Sequence, residues 1–549
     1  GVMALLGPTE LAARLPAYLA TLATIALLVW FARRRWGEDA GWLAGLAYAT
    51  MVLPLAYARA AIFDSTLTLC TTAAILFFFE GRAIAAWAAL GVATLTKGPI
   101  ALALVLFAVV PHALATGSPV RRLFPWRGLA VFALVTLPWF LAVTLRHPEF
   151  PSYVFVRETF QRMTTSSFHR TAPFWYYLPI LPVAAFPWIV PALAGVGRAR
   201  DLWRARREPA AREPLLLTSW VIVPLLFLTL NQSKLPQYVL PLMPAFALGA
   251  TRSIVTRGIG AATRAYAVIA LVAGMGLVAL TRWLPAPLDL TPAEKAAIPP
   301  TAVALGLVVL LSAVLVRDGA LRGIGRLTIA GYAIVVAAIP FVSGPLLAAV
   351  GEDRSSAAVA GAAVATLARA GDAGAVLGVA AFPPSLPFYL GRPVAVATAT
   401  ASELTSNYIA QYHEQYRTVP GSPLLPAGAW RPCPRCLSRP RTTATCAPRL
   451  APRCPSSPRT TITPRTGRAG LTPSPPTRSP PPLHNVERGP GGEGCAASSA
   501  RSPSGTRRSS IRTASARWRR PSPTAARTVS RSSVTSAPGS ARAASPLWT

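Results

Sequence analysis

About a dozen apolar stretches run between residues 11 and 349, and arginines crowd every second junction between them. Runs such as Leu11 to Phe31 and Ala265 to Leu280 approach the roughly 20 residues that carry a helix across a bilayer. In hydrocarbon a backbone must satisfy its own hydrogen bonds, so such a chain folds as a bundle of membrane helices. Hydropathy predicts spans near residues 11–32, 41–62, 65–79, 84–96, 98–115, 128–146, 174–197, 214–231, 236–252, 265–283, 299–316 and 327–349.

The arginines orient the bundle. Arg33 to Arg35, Arg82, Arg121 with Arg122 and Arg127, the run Arg198 to Arg212, Arg252 with Arg257 and Arg264, and Arg317 with Arg322 and Arg326 all fall at alternate junctions. Short positively charged loops stay in the cytoplasm, which puts these junctions inside. The opposite junctions then face outward: Arg59 with Asp64, Lys97, the long connection from His147 to Pro173, residues 231 to 236, and everything after Leu347.

A formal charge of +34 would by itself suggest a nucleic-acid partner. Residues 431 to 549, however, hold 21 Arg against only Glu487 and Glu493, so more than half of that charge sits in one Arg, Pro, Ser, Thr and Ala tail without a single Lys. No nucleic-acid partner is expected. The tail cannot bury a core and reads as disordered, or as out-of-frame translation of a GC-rich gene. Five of the six cysteines lie in it. Cys433 and Cys436 make one C-x-x-C, but a zinc site needs a second matched pair, and Cys446 and Cys454 have the wrong separation. Cys70 lies in an apolar span and reads as packed.

The fold class that follows is an all-α polytopic membrane protein of about 12 spans, with a small C-terminal α/β outer domain and a disordered tail. Its parts are a transmembrane domain over 1–349, an incomplete outer α/β domain over 350–430, and the low-complexity tail over 431–549. In the outer domain, Val376 to Phe382 and Val394 to Thr400 read as strands, with Ser385 to Tyr389 as a turn or helix between them. The chain opens on Gly1 without a signal peptide, and reads as a fragment at its front.

Ionisable groups inside or at the edge of spans cost on the order of 3 kcal/mol each by insertion scales, which makes them the functional candidates. Asp64 opens the third span with Arg59 at the same outer mouth, either as a salt bridge or as a carboxylate presented to an outer cavity with Arg59 as partner or phosphate ligand. Lys97 stands in Leu95-Thr96-Lys97-Gly98-Pro99, where Gly and Pro break two short apolar stretches. It either snorkels to the interface or reaches an anionic head group. Lys234 repeats the theme in Ser233-Lys234-Leu235-Pro236-Gln237-Tyr238, as interfacial anchor or as cation for a ligand, with Tyr238 in the aromatic belt. Glu158 and Arg162, four apart in the long outer connection, share a helix face. Outward cations around a membrane-edge carboxylate suit a substrate with a lipid tail and an anionic head.

In their order, these motifs, with Pro138-Trp139 and Pro173-Phe174-Trp175-Tyr176, resemble the GT-C membrane glycosyltransferases. The likeness covers roughly residues 8 to 430 and is strongest to the branch holding protein O-mannosyltransferases and lipid A aminoarabinose transferases. It implies transfer of a sugar from a polyprenyl-phosphate donor, with inversion, onto lipid A, a cell-envelope glycan or a protein hydroxyl at the periplasmic face of the bacterial inner membrane. Asp64 would be the catalytic carboxylate, and Arg59, Lys97, Glu158, Arg162, Lys234 and Tyr238 would bind substrate and phosphate. The partners implied are that donor, a lipid or protein acceptor, and the membrane.

The family also carries a leading span and a first outer loop with an essential Asp ahead of the stretch matching Glu10 to Pro16, so the chain by itself is expected to be weak or inactive. Thr159 stands where relatives often have His, and His169 reads as a solvated loop residue. No cofactor is expected, and a divalent metal is left open. Two rival readings are an anionic-lipid transporter or flippase, which a dozen spans with buried charges also describe, and an inactive truncated membrane protein.

Overall fold

Glycine and proline punctuate the helices, and the computed structural model follows that punctuation. It describes residues 2–154, 172–196, 199–258, 260–281, 290–369, 376–379 and 381–426. The membrane helices are α1 (Glu10–Trp36), α2 (Glu38–Ala49), α3 (Val52–Ala58), α4 (Asp64–Phe79), α5 (Ala83–Lys97), α6 (Ile100–Thr116), α7 (Trp126–Arg146), α8 (Tyr177–Ala184), α9 (Ile189–Val196), α10 (Arg212–Leu230), α11 (Met243–Arg257), α12 (Gly260–Leu280), α13 (Pro292–Leu321) and α14 (Gly325–Val342).

Among the described residues seven helices are long and apolar enough to cross a membrane, or eight if the bent pair α2 and α3 is one span; four shorter apolar helices accompany them. The chain is a multi-pass membrane protein. Two predicted spans are not continuous. Residues 41–62 bend by 68° between α2 and α3. Residues 174–197 divide into a 3-10 turn (Phe174–Tyr176), α8 and α9 around a cis Phe186-Pro187 bond.

Threonine hydroxyls inside the apolar helices turn back on the helix, as Thr24 to Ala20 O at 2.8 Å and Thr251 to Ala247 O at 2.9 Å. Each hydroxyl thereby gives its hydrogen to its own helix. The core between helices is aromatic and small: Trp188 stacks on Tyr332 at 5.2 Å and gives its indole hydrogen to Thr50. Glycine lets α12 and α13 approach, since a Cβ on Gly306 would come 2.8 Å from the Gly274 carbonyl oxygen. Large apolar side chains elsewhere face outward, Leu145 and Phe341 being more than four-fifths exposed, as a lipid-facing surface requires.

After α14 the chain forms α15 (Gly344–Arg354), α16 (Ala357–Arg369), β1 (Leu377–Val379), α17 (Leu386–Leu390), β2 (Ala395–Thr398), α18 (Asn407–Gln411), α19 (His413–Arg417) and β3 (Leu424–Pro426). The strands make a parallel sheet in the order β1-β2-β3, with Leu377 opposite Ala395 and Val396 opposite Leu424. Ala360, Leu386, Leu390 and Val394 bury a small core beside it. Tyrosines fasten this layer to the membrane helices. Tyr389 donates to Glu10 at 2.7 Å and Tyr408 to Glu149 at 2.6 Å, while Tyr408 also packs edge-on against Tyr153, with ring centres 4.8 Å apart.

The arginine-rich junctions meet at the other end of α4. Glu80 there is 3.2 Å from Arg35 and 3.9 Å from Arg34, and Glu213 accepts from the Trp36 indole at 3.0 Å with Arg252 3.6 Å away.

Candidate active site

Three helix ends build the outer mouth. Asp64 is the first residue of α4, where unpaired backbone N–H groups favour a carboxylate. Lys97 is the last residue of α5, and Gly98, with φ +72°, ends that helix before Pro99 starts the turn into α6. The turn from 231 to 235 carries Lys234, and the 3-10 helix Pro236–Leu242 that follows carries Gln237 and Tyr238.

The Lys97 ammonium lies 2.5 Å from Asp64 Oδ1 and 4.9 Å from the centre of the Tyr238 ring. Asp64 is buried, while the Lys97 side chain is nearly a third exposed. A carboxylate out of water needs such a charge-assisted partner, and the ring face adds a cation–π contact. Tyr57 donates to Gln237 at 3.1 Å, and Ser65 donates to the Tyr57 carbonyl at 3.2 Å, so α3, α4 and the 231–242 segment are cross-braced around this pair.

Lys234 is buried, with 6% of its surface exposed, and donates to the Ala172 carbonyl at 3.1 Å. No carboxylate lies within ion-pair distance of it among the described residues. Loss of water pushes its ammonium below the ordinary lysine range. Next to it, the buried Ser233 hydroxyl has no hydrogen-bond partner among the described residues. The backbone around them is fixed by Asn231, whose side chain accepts from Ser233 N, and by Tyr177, which donates to Leu235 O. The Lys234 side chain is thus buried rather than extended into water.

The structure brings together Asp64, Lys97 and Tyr238, with Lys234 on the same segment as Tyr238. It leaves Arg59 apart: that side chain is exposed and forms no ion pair among the described residues. The partner of Asp64 is Lys97, not Arg59, because the turn from 59 to 63 directs the arginine outward while the end of α5 comes over the start of α4. Lys97 correspondingly does not snorkel to water. Glu158 and Arg162 lie outside the described residues, as does the tail with its cysteines. No group of three or more His, Cys, Asp or Glu that would hold a metal occurs among the described residues. Tyr57, Gln237, Ser233 and the Ala172 carbonyl surround these residues, though sequence reading gave them no role; Ser233 and Gln237 stand within the Lys234 motif, which is the signal that pointed near them.

An apolar groove of about 710 Å³ lies between α8, α9, α10 and α11, walled by Trp175, Leu178, Leu181, Val221, Leu225 and Phe246. Tyr177 belongs both to the groove and to the hydrogen bond that holds Leu235. The mouth thus brings cations and a carboxylate together, and Tyr177 links its backbone to the apolar groove.

Comparison with known proteins bears on the resemblance to the GT-C membrane glycosyltransferases. Residues 1–141 match the family described as dolichyl-phosphate-mannose-protein mannosyltransferase. The undecaprenyl phosphate-alpha-4-amino-4-deoxy-L-arabinose arabinosyl transferase of Yersinia pestis (strain Pestoides F) is 33% identical over 257 residues, 44% of this chain and 45% of that protein. The same transferase of Edwardsiella ictaluri (strain 93-146) is 32% identical over 305 residues, 52% and 54% of the two chains. The matched stretches thus span about half the length of these curated relatives. Among solved structures, ArnT from Cupriavidus metallidurans bound to undecaprenyl phosphate aligns with a TM-score of 0.64 at 27% identity over 77% of each chain, and its apo form gives 0.62 over 77% and 76%. Within the GT-C class the chain is thus similar to the mannosyltransferase and aminoarabinose transferase branch.

Proposed function

We propose that this chain is a glycosyltransferase that moves a sugar from a polyprenyl-phosphate donor onto lipid A, acting at the periplasmic face of the bacterial inner membrane. One observation carries the reading: a buried lysine, Lys234, without a carboxylate partner among the described residues, beside the Asp64–Lys97 pair at the outer mouth. A buried cation that lacks a protein counter-charge calls for an anionic ligand. The apolar groove suits the isoprenoid tail, and the relatives' donor, undecaprenyl phosphate linked to a sugar, has both parts.

In this reaction the acceptor oxygen attacks the anomeric carbon while the bond from that carbon to the phosphate oxygen breaks. The acceptor proton passes to a base, and the leaving polyprenyl phosphate takes the electron pair. Lys234 stabilises the phosphate as its charge grows, with Arg59 at the rim. Asp64, held in place by Lys97, orders the sugar or acceptor and is the carboxylate available to take the proton.

The test is binding of undecaprenyl phosphate to the full chain in nanodiscs, followed by mass analysis of lipid A after supplying the sugar-charged donor. Saturable binding that Lys234→Met abolishes, and a sugar-sized mass gain on lipid A, are the results expected. Equal binding by the Lys234→Met protein would overturn the assignment of the phosphate site.

A further inference from the structure

A second charged cavity, of about 880 Å³, lies at the opposite, arginine-rich end of the bundle, among the ends of α4 and α6, the starts of α5 and α10, and residues 118–125. Phe78, Phe79, Val109 and Leu216 make part of its wall apolar, and Ile84, half exposed on the lipid side, lies on its edge. Its rim carries Arg35, Arg122 and Arg212 against Glu80 and Glu213.

The carboxylates are already committed. Glu80 is held by Arg35 and Arg34, and Glu213 by Arg35, Arg252 and the Trp36 indole. Arg35 is held in turn by both acids and lies over the Phe79 ring at 4.9 Å. Arg122 and Arg212 form no ion pair among the described residues. The Arg212 backbone carbonyl meets His112 Nε2 at 3.1 Å. The cavity therefore pairs an apolar wall with two uncommitted guanidinium groups, on the side that the arginine bias assigns to the cytoplasm.

We propose that this cavity binds the head group of an anionic phospholipid from the cytoplasmic leaflet, its phosphate held by Arg122 and Arg212 and its acyl chains against Ile84 and the Phe78–Phe79 wall. Guanidinium groups match phosphate oxygens in two-bond geometry, and basic pockets between membrane helices on this side suit anionic lipid heads. The mixed wall favours a lipid over free phosphate, because a soluble ion leaves the apolar surface uncovered.

The experiment reconstitutes the full chain in nanodiscs containing phosphatidylcholine and phosphatidylglycerol, then measures retained lipid by native mass spectrometry. Wild type is expected to retain phosphatidylglycerol over phosphatidylcholine, and the double variant R122Q/R212Q to lose about ten-fold of that retention. The charge-matched R200Q/R204Q, on a different segment, is expected to retain it as wild type does. The conservative R122K/R212K keeps the charge and is expected to retain most of the lipid, which separates loss of binding from loss of fold. Unchanged retention in R122Q/R212Q, or equal loss in R200Q/R204Q, overturns the proposal. Displacement of the lipid by inorganic phosphate assigns the site to the free ion instead, and also overturns it.

Discussion

Lys97, at the end of one helix, sets its ammonium 2.5 Å from the Asp64 carboxylate at the start of another, 33 residues away in sequence. Neither residue has its partner nearby in the chain, and each sits where its own helix needs that charge: an acid at an N-terminus, a base at a C-terminus.

Removing either partner strands the other. Asp64→Asn and Lys97→Met should each lower sugar transfer by about 10²-fold or more, the lower end of what a positioned proton-transfer group contributes. Because the two act as one unit, the double variant should be little worse than either single change, and a double-mutant cycle on initial rates measures that. Arg59→Gln, outside the pair, should cost less than any of them.

Burial lowers the Lys234 ammonium, so its charge is lost earlier on the alkaline side than that of an exposed lysine. Affinity for undecaprenyl phosphate should fall as pH rises through that depressed value, since only the protonated form holds the anion. The ligand-free protein has the opposite sign: the desolvation cost is present below the folded-state pKa and fades as pH rises past it. Titrating binding in nanodiscs from neutral to alkaline pH checks the first sign, and Lys234→Arg, which stays charged throughout, should flatten the profile.

Gly306 faces the backbone of Gly274, whereas nothing lies within 4 Å of a Cβ built on Gly276. Gly306→Ala should destabilise the α12–α13 pair by about 1–3 kcal/mol, as overpacking does. Gly276→Ala should be neutral or gain up to about 1 kcal/mol of helix propensity. Thermal unfolding of the two variants in one detergent compares them directly.

Tyr408 donates to Glu149 and, by stabilising the ionised form, holds its carboxyl below the usual carboxylate range. That contribution is present above the ordinary glutamate pKa and lost as pH falls through the depressed one. Tyr408→Phe should return Glu149 toward its ordinary value and raise protease cutting between residues 376 and 426, read as fragment yield against time at neutral pH.

Hydropathy carried the helical bundle because it is a local property of a chain in a bilayer. The strands at Leu377–Val379 and Ala395–Thr398 likewise form inside the apolar runs that announced them. Breaks were less legible. The 68° bend after Ala49 and the division of 174–197 into short pieces interrupt runs whose average hydropathy hides them.

In the site, Asp64, Lys97 and Lys234 stood out because charge is rare at membrane edges. Their partners did not, since which loop ends meet is decided by helix packing rather than by sequence distance. Arg59 lies five residues from Asp64 yet points away, and the carbonyl that receives Lys234 belongs to Ala172, 62 residues upstream. The acids Glu80 and Glu213 were hidden for the same reason, among arginines from two other segments.

The tyrosines of the outer layer have a mechanical meaning. Tyr389 grips Glu10 at the foot of the first long helix, and Tyr408 grips Glu149 at the root of the long outer connection, 139 positions later in the chain and held by the same small sheet-bearing layer. That layer is a strut with two fixed ends. A tilt of the first helix would load the root of the outer connection through the layer to which both tyrosines belong.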